Sequence, residues 1–77
     1  MEITVHFKQM ETSDAVRYHA EEKSRKLAKY FRGKTSIGWD FMVERGMHIA
    51  HCRLTGNNID YSAEGHTPDM RASIDEA

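Results

Sequence analysis

Three consecutive segments between residues 36 and 64 alternate apolar and polar side chains with a period of two, and only turn signals separate them. "SIGWDFMVE" (36–44) places Ile37, Trp39, Phe41 and Val43 on one side, with Gly38, Asp40 and Met42 on the other. "ERG" (44–46) reads as a tight turn. The next strand, about 47–55, places Ala50, Cys52 and Leu54 inward and Ile49, His51 and Arg53 outward. "TGNN" (55–58) is a hairpin signal, because Gly and Asn tolerate positive φ. "IDYSAE" (59–64) alternates again, with Ile59, Tyr61 and Ala63 inward. Such a chain folds as an antiparallel meander with one apolar face, and that face needs a cover.

The flanking segments supply it. "EITVHF" (2–7) is a further alternating strand, with Ile3, Val5 and Phe7 on its apolar side. Ser13 is placed to cap a helix, with Asp14 in the first turn. Val16, Ala20, Leu27 and Phe31 then recur at helical spacing, within an arc of about 60°. Gly33 is expected to end that helix at C′, with basic residues opposing the dipole in the last turn. "GHTPDMRASIDEA" predicts a second helix, with Thr67 as cap and Pro68 at the first helical position, running barely ten residues to Ala77. The order β-α-β-β-β-α predicts an α+β fold, a four-stranded mixed sheet with both helices on one face. The helical crossover makes strands one and two parallel and right-handed.

A chain of 77 residues is expected to form one small domain. Its single cysteine excludes an internal disulfide, and no apolar run approaches the roughly 18–20 residues that span a bilayer. The sequence reads as a soluble chain of a reducing, cytosolic compartment. Net charge is −1 but unevenly spread: residues 1–39 carry eight basic and five acidic side chains, and residues 40–77 carry three and seven. Such asymmetry points to a polyanion-binding face. The basic side chains concentrate in "EEKSRKLAKYFRGK" (21–34), where no acid interrupts residues 23–34.

On a helical wheel, Lys23, Lys26 and Lys29 line one flank of the apolar arc, with His19 and Tyr30 among them, and Tyr30 at the edge of the core stripe. Arg17, Arg25 and Arg32 line the other, tempered by Glu21. Lys8 and Lys34 lie in the connectors at opposite ends. The pattern suits either a solvated helix whose Lys and Arg stems cover apolar surface or a surface that tracks phosphates. Base stacking on the open sheet face is disfavoured. Trp39, Phe41 and Tyr61 fall on the apolar side, leaving Thr4, His6, Asp40, Arg53, Asp60, Ser62 and Glu64 outside.

Other chemistries are poorly supported. His48, His51 and Cys52 ("HIAHC") cannot converge on a metal from one strand, because His51 points opposite to His48 and Cys52. Cys52 reads as a small buried core residue rather than a nucleophile. There is no glycine-rich phosphate loop, and the acids are scattered. No enzyme activity, metal or cofactor is expected.

The segments "KQMETSDAVRYHAEEKSRKLAKYF", the "VE" ending strand two, "SAEG" and "DMRASID" resemble the ribosome hibernation-promoting factor family of bacterial ribosome-associated translation inhibitors. The resemblance runs nearly end to end. It implies the fold deduced above, related in outline to double-stranded RNA-binding domains. It also implies binding to the small ribosomal subunit between head and body, over the tRNA and mRNA positions of the decoding region. Translation is then blocked by occupancy, under stress. Carried over by position, the rRNA-binding residues are Lys23, Lys26 and Lys29, with Lys8, Arg17, Arg25, Arg32, Lys34 and Arg71. Arg71 stands where the family has an aromatic, so a phosphate contact is expected there.

The family's second helix continues several turns beyond the equivalent of Ala77, so residues 1–77 are expected to be a single ribosome-binding domain whose last helix is incomplete. The expected partners are the small subunit and its rRNA, with no membrane and no small-molecule substrate. The chain is expected to be monomeric and cytoplasmic. Two alternatives stand beside this reading: a protein-interaction module acting through a sheet edge, and a homologue that has lost ribosome binding.

Overall fold

The computed structural model describes residues 1–31 and 33–77. Its elements follow in the order β1 (Glu2–Phe7), α1 (Asp14–Ala28), β2 (Thr35–Glu44), β3 (Met47–Gly56), β4 (Ile59–Thr67) and α2 (Met70–Glu76). One four-stranded sheet has the order β1-β2-β3-β4, parallel between β1 and β2 and antiparallel thereafter. This is the α+β arrangement that the alternation predicts. At the β2–β3 turn, Arg45 and Gly46 both have positive φ (52° and 79°), the twist that a two-residue hairpin loop requires.

Both helices contribute to one core. Ile37, Trp39, Phe41, Ala50, Cys52 and Leu54 from the sheet meet Ala20 of α1 and Met70 and Ile74 of α2. Trp39 and Phe41 stack with their centroids 5.9 Å apart, and Phe7 packs on Phe41 at 5.3 Å. A polar residue anchors α1 in this apolar setting. Ser24 is fully buried; its hydroxyl donates to the Ala20 carbonyl (2.8 Å) and accepts the indole N–H of Trp39 (2.8 Å). The α2 anchor is backbone contact. A Cβ at Gly65 would lie 1.9 Å from the Ser73 carbonyl oxygen, so only glycine lets α2 rest on β4. The buried Ser73 hydroxyl lies 2.6 Å from the His48 carbonyl and accepts the Thr67 amide at 3.1 Å, closing the same junction.

Several boundaries differ from the sequence expectations for local reasons. Helix α1 ends at Ala28 rather than near Gly33, because the chain tightens: Tyr30 N–H bonds the Leu27 carbonyl and Phe31 N–H that of Ala28. Gly33 does take positive φ (84°), but beyond that turn. Helix α2 is capped by Asp69, whose carboxylate accepts the Ala72 amide, while Thr67 stays in β4 opposite His48. Val43 is exposed, since β1 pairing stops at Phe41 and leaves it without a neighbour there. Tyr61 and Ala63 are exposed on the apolar side, because α2 seats on Gly65. Ile49, expected outside, is buried on the outer face, in register between Met42 and His66.

Two substitutions test these anchors. Ser24→Ala leaves the Trp39 indole N–H unpaired, at a cost of about 1–3 kcal/mol. At roughly 4–8 °C per kcal/mol for a domain of this size, the melting temperature falls measurably, and Trp39 fluorescence reports the change. Gly65→Ala forces α2 off the sheet, and thermal melting should show a loss of at least the ~1–3 kcal/mol typical of overpacking.

Candidate nucleic-acid interface

The rotation of α1 decides which side chains face solvent. With Ala20 and Ser24 turned into the sheet, the 3.6-residue repeat puts Tyr18, Glu22, Arg25 and Lys29 on the opposite face and Lys26 beside them. Ser13 starts the helix as expected, accepting the Val16 amide at 3.2 Å. Tyr18 and Tyr30 are both strongly exposed, at 63% and 82%. Tyr30 therefore leaves the core edge expected for it, because the tightened turn swings it outward while Phe31 packs against Tyr61 (6.1 Å).

The cations divide into distinct groups. Lys26 on α1 and Lys29 at its C-cap are exposed, and among the described residues no acidic group lies within 4.0 Å of either. Lys34, before β2, and Arg71, in the first turn of α2, are likewise exposed. Arg25 is paired with Glu22 one turn earlier. Lys23 is half-buried between the helices and donates to the Asp75 carbonyl at 3.3 Å. Arg17 lies over the Phe7 ring, 5.6 Å from its centroid, a cation–π contact. Lys8 turns away to the outer face of the sheet, 3.9 Å from Asp40. Arg32 lies outside the described residues.

The outer sheet face has a different character. One row crosses all four strands in register: His6, Asp40, His51 and Glu64. Asp40 lies 3.6 Å from His6 and 3.9 Å from His51. The His66 ring, hydrogen-bonded at 2.8 Å, holds the Glu64 carboxyl below its ordinary pKa, and Arg53 does the same for Asp60 through a 2.9 Å bond. Cys52 faces the core on the other side, where burial pushes its thiol up to about 11 against a smaller opposing influence from Lys23. His51 and Cys52 thus lie on opposite faces, as the strand alternation required.

Two features here escaped the sequence reading. One is the exposed ring of Tyr18, which a wheel centred on the apolar stripe places directly opposite it. The other is the bridge from α1 to α2, in which His19 Nε2 meets Asp75 Oδ1 at 2.9 Å. No local pattern marks that bridge, since its partners are 56 residues apart.

A family model described as sigma 54 modulation protein / S30EA ribosomal protein matches residues 3–77. The chain belongs to this family. It is the hibernation-promoting factor family that the α1 and α2 segments resemble, a family of ribosome-associated proteins. The fold is that of the Protein Y N-terminal domain of Thermus thermophilus, with a TM-score of 0.85 and 24% identity over 97% of this chain and 84% of that one. A ribosomal subunit interface protein from Coxiella burnetii superposes with a TM-score of 0.82 and 18% identity, over 97% and 82% of the two chains. No curated protein matches the chain by sequence. Among the described residues no helix is long and apolar enough to cross a membrane.

The environment of Cys52 behind the hibernation-factor helix yields a prediction. Its folded-state pKa is raised, so the stability linked to the neutral thiol is full below about 9 and is lost as pH rises toward about 11. The native protein should therefore resist iodoacetamide at pH 8 and react at the rate of a free thiol only when unfolded, as mass spectrometry would show. Fast alkylation of the native chain would contradict the buried placement.

Proposed function

We propose that the chain is a non-enzymatic translation inhibitor that binds small-subunit rRNA near the decoding region and sterically blocks mRNA and tRNA. It acts as a cytoplasmic monomer. The observation that carries this reading is the outward flank of α1: Lys26 and Lys29 stand exposed without acidic partners among the described residues, on a chain of a ribosome-associated family. Phosphate contacts need cations free to displace condensed counterions, and these two satisfy that condition. Lys34 and Arg71 add exposed charge, and Arg25, still paired with Glu22, has further guanidinium N–H groups to offer a phosphate. Lys23 acts partly through the fold, since it holds Asp75. Arg17 and Arg32 complete the proposed set, and Lys8, turned to the outer sheet face beside Asp40, lies away from it.

The mechanism needs no bond chemistry. A body of 37 × 20 × 19 Å with a cationic helix on one side can fill an RNA-lined channel and exclude other occupants. Affinity then comes from phosphates and selectivity from shape, as expected for structured RNA.

Co-sedimentation with purified small ribosomal subunits across a salt series tests the reading. With about five phosphates neutralised, log affinity should fall against log salt with a slope of roughly −3.5 to −4.5. Reversing Lys26, Lys29 and Lys34 to Glu should abolish binding at moderate salt and leave the melting temperature unchanged, because all three are exposed. Wild-type affinity in that triple variant would overturn the assignment. A partner that instead survives nuclease and high salt would favour docking at a sheet edge, where residues 60–64 of β4 are all exposed.

A further inference from the structure

A groove of about 230 Å³ runs between the helices, lined by Tyr18, His19, Glu22, Lys23, Lys26 and Asp75. We propose that this groove receives one unpaired nucleotide of the RNA, its base stacked on Tyr18 and its phosphate held by Lys26. This rests on the rRNA-binding reading and adds to it a base contact that cations alone do not provide.

The geometry carries the assignment in three steps. Tyr18 is 63% exposed at the wall of the groove, so the fold gains little from the ring, whereas a ring beside cations is the platform on which single-stranded bases stack. The carboxylates present are already engaged: Asp75 accepts from His19 at 2.9 Å, and Glu22 is paired with Arg25. Their remaining oxygens can accept from a base edge that carries N–H donors, and they repel a phosphate, so the phosphate goes to the ammonium groups. Of these, Lys23 is tied to the Asp75 carbonyl at 3.3 Å, which leaves Lys26 at the mouth. The His19–Asp75 bridge fixes the groove's width by joining α1 to α2. An unpaired nucleotide suits such a site because it offers a flat face and a phosphate together, which a paired base cannot.

The test uses the intact chain with purified small subunits, at several salt concentrations. Tyr18→Ala should weaken binding by ~5- to 150-fold, the range for one lost base stack, with the salt slope and melting temperature unchanged. Tyr18→Phe should keep near-wild-type affinity, and Tyr18→Leu, apolar but without a π face, should behave like Ala. In a separate titration, the single-stranded oligonucleotide r(A)6 should shift the Tyr18 ring protons upfield, as read by NMR. Binding of Tyr18→Ala within twofold of wild type, or shifts at Tyr30 or Tyr61 in place of Tyr18, would overturn the nucleotide site while leaving the rRNA reading intact. A wild-type chain that fails to bind small subunits would remove the parent reading, and an unshifted Tyr18 in the r(A)6 titration would then remove this one.

Discussion

The hydrogen bond from the Trp39 indole to Ser24 is the contact on which the arrangement of charged surface depends. An apolar helix face on an apolar sheet can rotate or slide by small amounts at modest cost, because dispersion contacts are individually weak and non-directional. A buried N–H that must reach one hydroxyl cannot, since an unmet donor in the core costs more than a small repacking. The bond therefore indexes α1 against β2. Every outward residue of the helix, including Lys26, Lys29 and Tyr18, inherits its direction from that one register. The Ser24 hydroxyl also donates to the Ala20 carbonyl, so the acceptor of the indole N–H is itself held in place.

The second helix is indexed differently, through steric exclusion at Gly65 and the Ser73 hydroxyl beside His48. Because α2 lies so close to β4, its last turn reaches α1, where Asp75 meets His19 and Lys23. A single absent Cβ in the sheet thus brings a carboxylate to the basic helix more than fifty residues away in sequence. This explains why one lysine of the cationic flank is half-buried and its neighbours are not. Charge on a helix is not uniformly available, and the tertiary partner decides which cations stay free.

The strands were legible because a period of two leaves little choice: with one face buried, register and side-chain direction follow together. The helix stripe was legible for the same reason, with Ser13 marking its start. Ser24 was not, because a serine among apolar residues gives no sign that a tryptophan fifteen residues later will donate to it. The α2 cap lies at Asp69, two residues beyond Thr67, since Thr67, Pro68 and Asp69 all carry start signals and only packing selects Asp69. Tyr61 and Val43 were placed inward by alternation, which reports the side of a strand but not whether a helix covers it. On the proposed interface, sequence located the cations but not their pairing. The free state of Lys26 and the engaged states of Arg25 and Lys23 depend on neighbours that only the fold supplies.

The two faces of the molecule also differ in what they do to a phosphate. Across the outer sheet, Glu64 and Asp60 are held below their ordinary pKa values by His66 and Arg53, so they remain ionised well into the acid range. Depressed carboxylates of this kind lose their charge only as pH falls through their folded pKa, below the usual carboxylate values. Near neutrality these carboxylates are ionised, with Asp60 balanced by Arg53 and Asp40 drawing Lys8 onto the same side. The cations of that face, Lys8 and Arg53, are thus engaged by carboxylates, whereas Lys26 and Lys29 on the helix side have no acidic partner among the described residues. Electrostatics of this kind contributes to orientation and on-rate more than to final affinity. The acidic half of the sequence thus has a consequence of its own: it engages Arg53 and Lys8 on the outer sheet face, while Lys26 and Lys29 stay exposed on the helix side.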